Sequence, residues 1–285
     1  KYSELLKENK SDVNNFLTDI KINKSNDEIN FGLFNSDTIH SMIYTANFIK
    51  KYNMKNIYLI NGRDKNFAFN FIWLAKRIKK EYSYYAFCDQ DDIWLDWKLS
   101  RAISVLGKSK SVAYSSNMTA FWSDGKVQFL KKSYSQCEYD HFFESPGAGC
   151  TFVFKLGILQ EFKLNLDKIS QLASLVTTNH DWYLYAYVRE KGLDWYIDDC
   201  STVRYRQHSS NEMGINSGIN GYLSRLKMVN NGWYRKQVEL GVESFAPELK
   251  PKLLNRFYLI FNFYKLRRRL RDCIVLLLML LLGLF

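Results

Sequence analysis

Residues 84–94 read Tyr-Tyr-Ala-Phe-Cys-Asp-Gln-Asp-Asp-Ile-Trp, and the rest of the chain is interpreted around them. The first five are aromatic or apolar and uncharged, which predicts a buried strand over Tyr84–Cys88. Asp89, Asp91 and Asp92 follow at the carboxyl end of that strand, where open α/β sheets place their ligand sites. Carboxylates this close together repel one another unless a cation lies between them.

The acidic residues after this strand have two interpretations. A hard divalent cation, Mg²⁺ or Mn²⁺, would neutralise them and would bring phosphate oxygens with it. The alternative is a solvated acidic turn that caps a helix predicted over Asp96–Leu106. An isolated Asp-x-Asp pattern is weak evidence, whereas the strand before it and Ile93-Trp94 after it favour metal and phosphate chemistry.

The composition indicates a globular protein with an anionic partner. The 285 residues suffice for one large domain or for a domain with an appendage, and a hydrophobic content of 47% excludes a disordered chain. The net charge of +11 is compatible with nucleic acid, anionic lipid or a nucleotide diphosphate. No nucleic-acid motif accompanies the charge, and the densest basic run adjoins an apolar tail. We therefore expect a membrane surface and no nucleic acid.

The cysteines and the N-terminus indicate the compartment. The five cysteines are dispersed without a zinc-site spacing, which is typical of a reducing cytoplasm. The chain opens with Lys-Tyr-Ser-Glu and carries no signal-peptide pattern, so we expect a cytoplasmic protein.

Strand and helix patterns alternate through the first half of the chain. An apolar strand is predicted over Asn56–Ile60, with helices over residues 37–51 and 66–80, and this alternation favours parallel βαβ units. A strand over Ser111–Ser116 leads into a predicted hairpin whose turn is Ser123-Asp124-Gly125. Asp194–Val203 is predicted to form two strands with a turn at Asp198-Asp199.

The segment Cys-Asp-Gln-Asp-Asp-Ile-Trp at residues 88–94, followed by Lys98-Leu99, resembles the metal-binding motif of family 2 glycosyltransferases. The resemblance is closest to the bacterial rhamnosyltransferase-like branch that builds surface polysaccharide. It implies an α/β fold of the GT-A (Rossmann-like) type over residues 1–212, with a mostly parallel sheet flanked by helices, and a helical C-terminal segment over 213–285. It also implies that Asp91, with Asp89, holds the metal ion and that Asp89 contacts the donor nucleotide.

Two later motifs occur in the order found in that family. His180-Asp181-Trp182 resembles the motif in which the acid is the catalytic base, so the resemblance implies that Asp181 is the base and that Trp182 lies on the acceptor side. The alternative for Asp181 is ordinary helix capping. The segment Tyr205–His208 resembles a loop that folds over the diphosphate, which implies that Arg206 binds donor phosphates and that His208 is a metal ligand.

Two further segments carry less specific matches. Gly149, Cys150 and Thr151 resemble the segment beside the acceptor sugar, although a tightly packed strand entry explains them equally well. The family's first strand is missing here, residues 29–36 resemble an insertion, and the family's Ser-Asp-Asp motif survives only in part at Asn26-Asp27. Asp27 is the candidate contact to the nucleotide base, or else a turn residue.

The C-terminus combines a basic run, Lys265–Arg271, with an uncharged apolar run, Cys273–Phe285. The apolar run is shorter than the ~20 residues that span a bilayer. A buried core helix is one interpretation, but the basic flank favours an interfacial anchor on anionic lipid.

Together these features predict a metal-dependent, inverting glycosyltransferase. We expect it to transfer rhamnose from dTDP-rhamnose to a hydroxyl of a lipid-linked surface glycan, such as an O-antigen, using Mg²⁺ or Mn²⁺. It would be peripheral on the inner face of the bacterial cell membrane. The alternative is a vestigial, non-catalytic protein that binds a glycan or a nucleotide and lacks a working donor site.

Overall fold

Two long strands form the centre of the molecule. In the computed structural model, β5 (Ala113–Trp122) and β8 (Trp195–Gln207) pair in parallel from Ala113 opposite Trp195 to Trp122 opposite Gln207. The structure describes residues 31–33, 51, 57–59, 71, 74–75, 82–89, 91–161, 163–164, 180–208 and 232–285.

Shorter strands extend this centre on both sides. They are β3 (Tyr84–Ala86), β4 (Ile93–Trp94), β6 (Val127–Leu130) and β7 (Val153–Lys155). The sheet has the order β3-β7-β5-β8-β4, and β6 pairs with β5 beside this path. The expected α/β fold with flanking helices is confirmed, but the described strand pairs of this sheet are mixed and not mostly parallel. The β3–β7, β5–β7, β5–β6 and β4–β8 pairs are antiparallel, and β5–β6 is a hairpin joined by a short turn.

The predicted hairpin after β5 is present. Gly125 in the turn has φ 85°, a left-handed conformation that glycine adopts without strain. The Asp124 carboxylate accepts the main-chain N–H of Lys126 at 3.0 Å. These local interactions explain why the sequence alone places this turn.

The predicted pair of strands over Asp194–Val203 is wrong, because β8 runs without a break through Asp198-Asp199. Asp198 is fully buried and accepts hydrogen bonds from the Arg101 guanidinium at 2.6 Å and from the Tyr114 hydroxyl at 2.8 Å. Distant partners thus satisfy a carboxylate that looks like a turn residue in the sequence.

A second, two-stranded sheet pairs β1 (Phe31–Leu33) in parallel with β2 (Ile57–Leu59). The strand predicted over Asn56–Ile60 is therefore present. Residues 29–36, interpreted above as an insertion, have β1 at their centre, and its main chain pairs with β2. The sequence conceals it because Gly32 has low strand propensity and polar residues surround it. Asp27 and most of the two helices predicted over 37–51 and 66–80 lie outside the described residues.

Helices cover the sheet and build the C-terminal segment. They are α1 (Lys98–Lys108), α2 (Asp140–Phe143), α3 (His180–Glu190), α4 (Trp233–Phe245), α5 (Lys250–Leu253), α6 (Arg256–Phe261) and α7 (Leu270–Leu282). Residues 156–161 are also helical, and 3-10 turns occur at Gly149–Thr151, Pro247–Leu249 and Phe263–Lys265.

The larger core lies between the sheet and α3. Phe154 lies in β7 and Phe152 directly precedes it. Both pack with Leu184 of α3 and Trp195 of β8, and all four side chains are buried. Leu240 of α4 belongs to the same core. The predicted domain boundary at 212–213 lies outside the described residues, but the segment after it contributes to the core of the segment before it.

The apolar tail is half buried. Leu276, Leu280 and Phe285 pack with Phe143 and Val242 in a second core, so one face of α7 is that of a core helix. The other face is exposed, and with α6 it carries Phe257, Phe261, Leu270, Ile274, Val275, Leu278, Leu281 and Leu282, which we call the apolar face. Removing buried leucines of this kind typically costs ~2–5 kcal/mol each, so this tail is part of the folded structure.

Several cations of the basic linker, Lys265–Arg271, form ion pairs with acidic residues of the same molecule. The Arg268 side chain is 2% exposed and lies between Asp140 and Glu144, and Arg267 is also near Glu144. Lys265 pairs with Glu138 at 2.7 Å. The expectation that this run faces lipid therefore needs correction, because acidic residues more than a hundred positions earlier neutralise much of it.

Within the described part of the chain, none of the helices has both the length and the apolar character needed to cross a membrane.

Candidate active site

The acidic motif follows β3, and the last part of β8 lies beside this motif. β4 pairs with β8, placing Ile93 opposite Arg204 and Trp94 opposite Val203. The main-chain N–H of Arg206 then donates to Asp92 Oδ1 at 2.9 Å. The antiparallel pairing of β4 and β8 thereby brings two motifs from distant parts of the sequence to the same edge of the sheet.

Asp91 and His208 meet at this edge. His208 Nε2 lies 2.8 Å from Asp91 Oδ2, and both side chains are partly exposed. A carboxylate and an imidazole in contact at an open edge can both bind a divalent cation. The structure thus brings together two of the three predicted metal ligands.

The third predicted ligand, Asp89, lies with Asp92 and Cys150 in a more enclosed group. Their ligand atoms are all within 4.8 Å of one another. Burial, together with neighbouring carboxylates, raises the pKa of Asp89 to about 7 and the pKa of Asp92 to about 8. Within the described residues, Asp92 Oδ2 has no hydrogen-bond partner. Crowded, poorly solvated carboxylates fit a bound cation, which would stabilise their charged forms.

Cys150 contributes a thiol to this group and not a thiolate. Its pKa is raised well above its ordinary value, mainly by burial and also by Asp92 and Asp89. Hydrogen bonds of Cys150 to the Asp89 and Asp92 carboxylates lower the pKa of each acid. Since Mg²⁺ and similar hard cations prefer oxygen ligands, the Asp89 and Asp92 carboxylates fit such an ion better than this thiol.

Arg206 supports the motif directly. Its Nε donates to the Asp91 carbonyl at 2.8 Å, and its guanidinium lies 4.7 Å from the centre of the Phe121 ring. The side chain thus holds the main chain of the acidic turn from β8. Its contact with donor phosphates stays a prediction.

Asp181 stands in the first turn of α3, opposite the acidic motif. Its Oδ1 accepts the main-chain N–H of Trp182 at 2.7 Å. Burial raises the pKa of Asp181 to about 6, while main-chain N–H groups, that of Gly149 among them, and the charge of Lys132 act in the opposite direction. Asp181 in turn contributes to the raised pKa of Asp89, so the predicted base lies close enough to the metal motif to interact with it electrostatically.

The acceptor strap, residues 144–151, passes beside Asp181. A Cβ on Gly149 would lie 3.2 Å from both Asp181 Cβ and His180 Nε2, so a larger residue would require these neighbours to shift by a few tenths of an ångström. Cys150 and Thr151 are fully buried, and the Thr151 hydroxyl donates to the Ala148 carbonyl at 2.8 Å. The prediction that the side chains of Cys150 and Thr151 contact the acceptor needs correction. Both side chains face the interior and hold the strap in place.

Trp182 and His180 flank the predicted base. Trp182 Nε1 donates to the His141 carbonyl at 2.8 Å, and its ring stacks on Tyr234 at 6.1 Å between centres. Burial lowers the pKa of His180 to about 3, so its imidazole is neutral, and it stacks on Phe71 at 4.3 Å. These contacts fix the start of α3, and Trp182 stays a predicted acceptor-side residue.

Asp92, Lys98 and Lys132 also belong to the neighbourhood of this site but were not predicted to act in it. Lys98 is fully buried and its ammonium lies 3.9 Å from the centre of the Trp94 ring, so burial lowers its pKa to about 8. The position of Lys98 just after the acidic motif is the feature of the sequence that could have indicated its place near the site. Nothing local marks Lys132, whose proximity to Asp181 depends on the hairpin that precedes it.

Comparisons with known proteins agree with this fold. No profile of a known protein family matches the chain. The dTDP-rhamnosyl transferase RfbG of Shigella flexneri is 39% identical over 223 residues, which cover 76% of this chain and 77% of that protein. S. aureus TarS 1–349 is similar in structure with a TM-score of 0.54 at 11% identity, covering 95% of this chain and 75% of TarS. TarS 1–349 in complex with UDP-GlcNAc gives a TM-score of 0.51 at 12% identity over 87% and 67% of the two chains.

The fold is that of GT-A glycosyltransferases. The chain belongs to the family of dTDP-rhamnosyl transferase RfbG, in the rhamnosyltransferase-like branch of family 2 glycosyltransferases. The predicted family and enzyme class are thereby confirmed.

Proposed function

We propose that this enzyme transfers rhamnose from dTDP-rhamnose to a hydroxyl of a lipid-linked surface glycan, in a single inverting displacement. The observation that carries the proposal is the proximity of the predicted base to the metal motif, since Asp181 lies close enough to Asp89 to raise its pKa. The metal motif suits the departing diphosphate, and Asp181 suits the attacking hydroxyl. The rhamnosyl donor is proposed from the relative that is named for it.

Asp89, Asp91 and His208 would hold Mg²⁺ or Mn²⁺, which would neutralise the diphosphate as it departs. Asp89 would also contact the donor nucleotide. Arg206 keeps the acidic turn in place from β8 through the Asp91 carbonyl, and we propose that it also reaches donor phosphates. These residues preorganise charge where it develops, which is often the largest contribution to catalysis.

Asp181 would take the proton from the acceptor hydroxyl, whose oxygen then forms the new bond to the anomeric carbon of rhamnose. The bond from that carbon to the diphosphate breaks, and dTDP leaves with the electron pair. A pKa of about 6 suits this task, because Asp181 is ionised at neutral pH and is more basic than an ordinary aspartate. The N–H of Gly149 helps to hold its carboxylate on the acceptor side.

The apolar face supports a place on the inner surface of the cell membrane. Phe257, Phe261 and Leu282 are each more than 70% exposed and lie on two helices that pack against each other. Exposed apolar surface of this extent marks interaction sites, and a lipid-linked acceptor would have to be met at a membrane. The exposed Lys252, whose ammonium lies over the Tyr258 ring of α6, would add attraction to anionic lipid.

A donor panel tests the proposal. Wild-type enzyme with Mn²⁺ or Mg²⁺ and a polyprenyl-diphosphate-linked saccharide is given dTDP-rhamnose, dTDP-glucose or UDP-GlcNAc, and released nucleotide is measured. We expect dTDP-rhamnose to give the highest rate. Release from none of the three donors, with no donor bound, would favour the vestigial alternative, and preference for UDP-GlcNAc would reject the rhamnosyl assignment.

A further inference from the structure

The basic linker carries a second role that the membrane account does not use. Arg268 is buried, and its Nη2 donates to the Ser145 carbonyl at 2.6 Å. Its Nε lies 3.4 Å from Glu144 Oε1 and 3.6 Å from Asp140 Oδ2, and its main-chain N–H donates to Glu144 Oε1 at 2.5 Å. One C-terminal arginine therefore holds the beginning of the acceptor strap at several points.

The buried charge of Arg268 is compensated by groups that also reach α3. Asp140 lies 3.3 Å from the Arg189 guanidinium and accepts the Tyr185 hydroxyl at 2.6 Å. The Arg268 guanidinium lies 5.7 Å from the centre of the Tyr185 ring. Because α3 also carries Asp181, the network ties the strap and the helix of the predicted base to the same arginine. Removing one member of a buried ion network leaves the other buried charges uncompensated, so a change at Arg268 should disturb this geometry.

The strap carries this constraint onward to the site. The Ser145 hydroxyl donates to the Gly147 carbonyl at 2.6 Å. Two residues later, Gly149 approaches Asp181 so closely that an added Cβ would be 3.2 Å from Asp181 Cβ. A continuous series of contacts thus runs from Arg268 through Ser145 and the glycines to Asp181.

Arg267 holds the residue that directly precedes the strap. Its Nη1 donates to the Phe143 carbonyl at 3.2 Å and to the Tyr234 hydroxyl at 3.0 Å. The Tyr234 ring stacks on Trp182, which directly follows Asp181 in the chain. The two adjacent arginines therefore hold both the strap and the residue next to the predicted base.

From these contacts we infer that Arg268 is a positioning residue for transfer, which acts through Ser145 and the acceptor strap to hold Asp181 against the acceptor hydroxyl. The inference rests on the proposed base role of Asp181. Displacing a catalytic group by about 1 Å can cost ~10²-fold in rate, so a partial loosening of the strap should lower turnover while leaving the donor side intact.

Arg268→Lys and Ser145→Ala test this with Arg271→Ala as the matched control. Lysine keeps the charge but cannot bridge Glu144 and the Ser145 carbonyl in the same way. Ser145→Ala keeps the ion network and removes the hydroxyl that reaches Gly147. Arg271 belongs to the same linker, but its side chain is 63% exposed and contacts Asp272.

Steady-state kinetics with dTDP-rhamnose, Mn²⁺ and the saccharide acceptor is measured on each variant at a temperature where circular dichroism shows native signal. We expect kcat to fall roughly 10-fold in Arg268→Lys and several-fold in Ser145→Ala, with the donor KM unchanged in both and Arg271→Ala like wild type. A merely structural role would lower the thermal midpoint without this separation of kcat from donor KM.

Normal kcat in a folded Arg268→Lys and in Ser145→Ala would overturn the inference, as would an equal loss of donor affinity. If Arg268→Lys does not fold, Ser145→Ala decides alone. Failure of the proposed function is distinguishable, because Asp181→Asn would then keep normal turnover whatever the two strap variants do.

Discussion

His208 Nε2 lies 2.8 Å from Asp91 Oδ2, although 117 residues separate them in the chain. The contact exists because β4, which follows the acidic motif, pairs with the last part of β8. The two motifs therefore form one site, and either residue alone would be an ordinary surface group. The first prediction follows from this pair.

His208→Ala should weaken Mn²⁺-dependent binding of dTDP-rhamnose by roughly 10- to 100-fold, because one ligand and the orientation of Asp91 are lost together. Calorimetric titration at fixed Mn²⁺ measures the effect. Asp199→Ala, an 86% exposed acid on the same strand, is the control and should bind normally. An unaltered Mn²⁺ requirement in His208→Ala would remove His208 from the ligand set.

Asp181→Asn should keep donor affinity and lose turnover by ~10²-fold or more, since a base acts on the acceptor proton and not on donor binding. The wild-type rate should rise with pH through about 6, because Asp181 works in its ionised form and burial raises its pKa to that value. Initial rates between about pH 5 and about pH 8 measure both effects. Near-normal turnover in the variant would reassign Asp181 to capping α3.

Local patterns predicted much of this site. The uncharged run before Asp89, the turn at Gly125 and the start of α3 at His180 each depend on residues within a few positions, so propensity and spacing suffice. The order of the motifs along the chain then identified the family. The same signals could not show that Cys150 turns inward toward Asp89 and Asp92, since that depends on the path of the strap.

Long-range charge pairing explains the main errors. Arg267 and Arg268 look like a lipid-facing basic patch until Asp140 and Glu144 are known to be their partners. Asp198 looks like a turn residue until Arg101 and Tyr114 reach it. In each case the partner is distant in sequence, and no local pattern encodes the contact.

Asp37→Ala should weaken dTDP binding more than Asp27→Ala, by roughly 10-fold if one charged hydrogen bond is lost. The reason is β1, because Asp37 follows the carboxyl end of this strand, the end at which α/β sheets bind ligands, whereas Asp27 precedes it. Equilibrium titration with dTDP compares the two variants, which serve as controls for each other. A loss confined to Asp27→Ala would restore the original assignment of the base contact.

Phe257→Ser with Phe261→Ser should release the protein from anionic vesicles without unfolding it, because both rings lie on the apolar face and are more than 70% exposed. The control is Val127→Ser with Phe129→Ser, which removes exposed apolar side chains from β6. Co-sedimentation and circular dichroism are measured on both. If the Phe257→Ser and Phe261→Ser variant sediments with the vesicles as the wild type does, the apolar face is not the membrane contact.

Whether the acidic motif binds the rhamnosyl donor through a divalent cation is measured most directly by calorimetry of dTDP-rhamnose against wild type and Asp91→Ala, with Mn²⁺ and with EDTA. The account predicts saturable binding only for wild type with Mn²⁺, weaker binding of UDP-GlcNAc, and a fold in Asp91→Ala that is unchanged or slightly stabilised by the loss of one repelling carboxylate. Donor binding that persists in EDTA or in Asp91→Ala, or that favours UDP-GlcNAc, would contradict it.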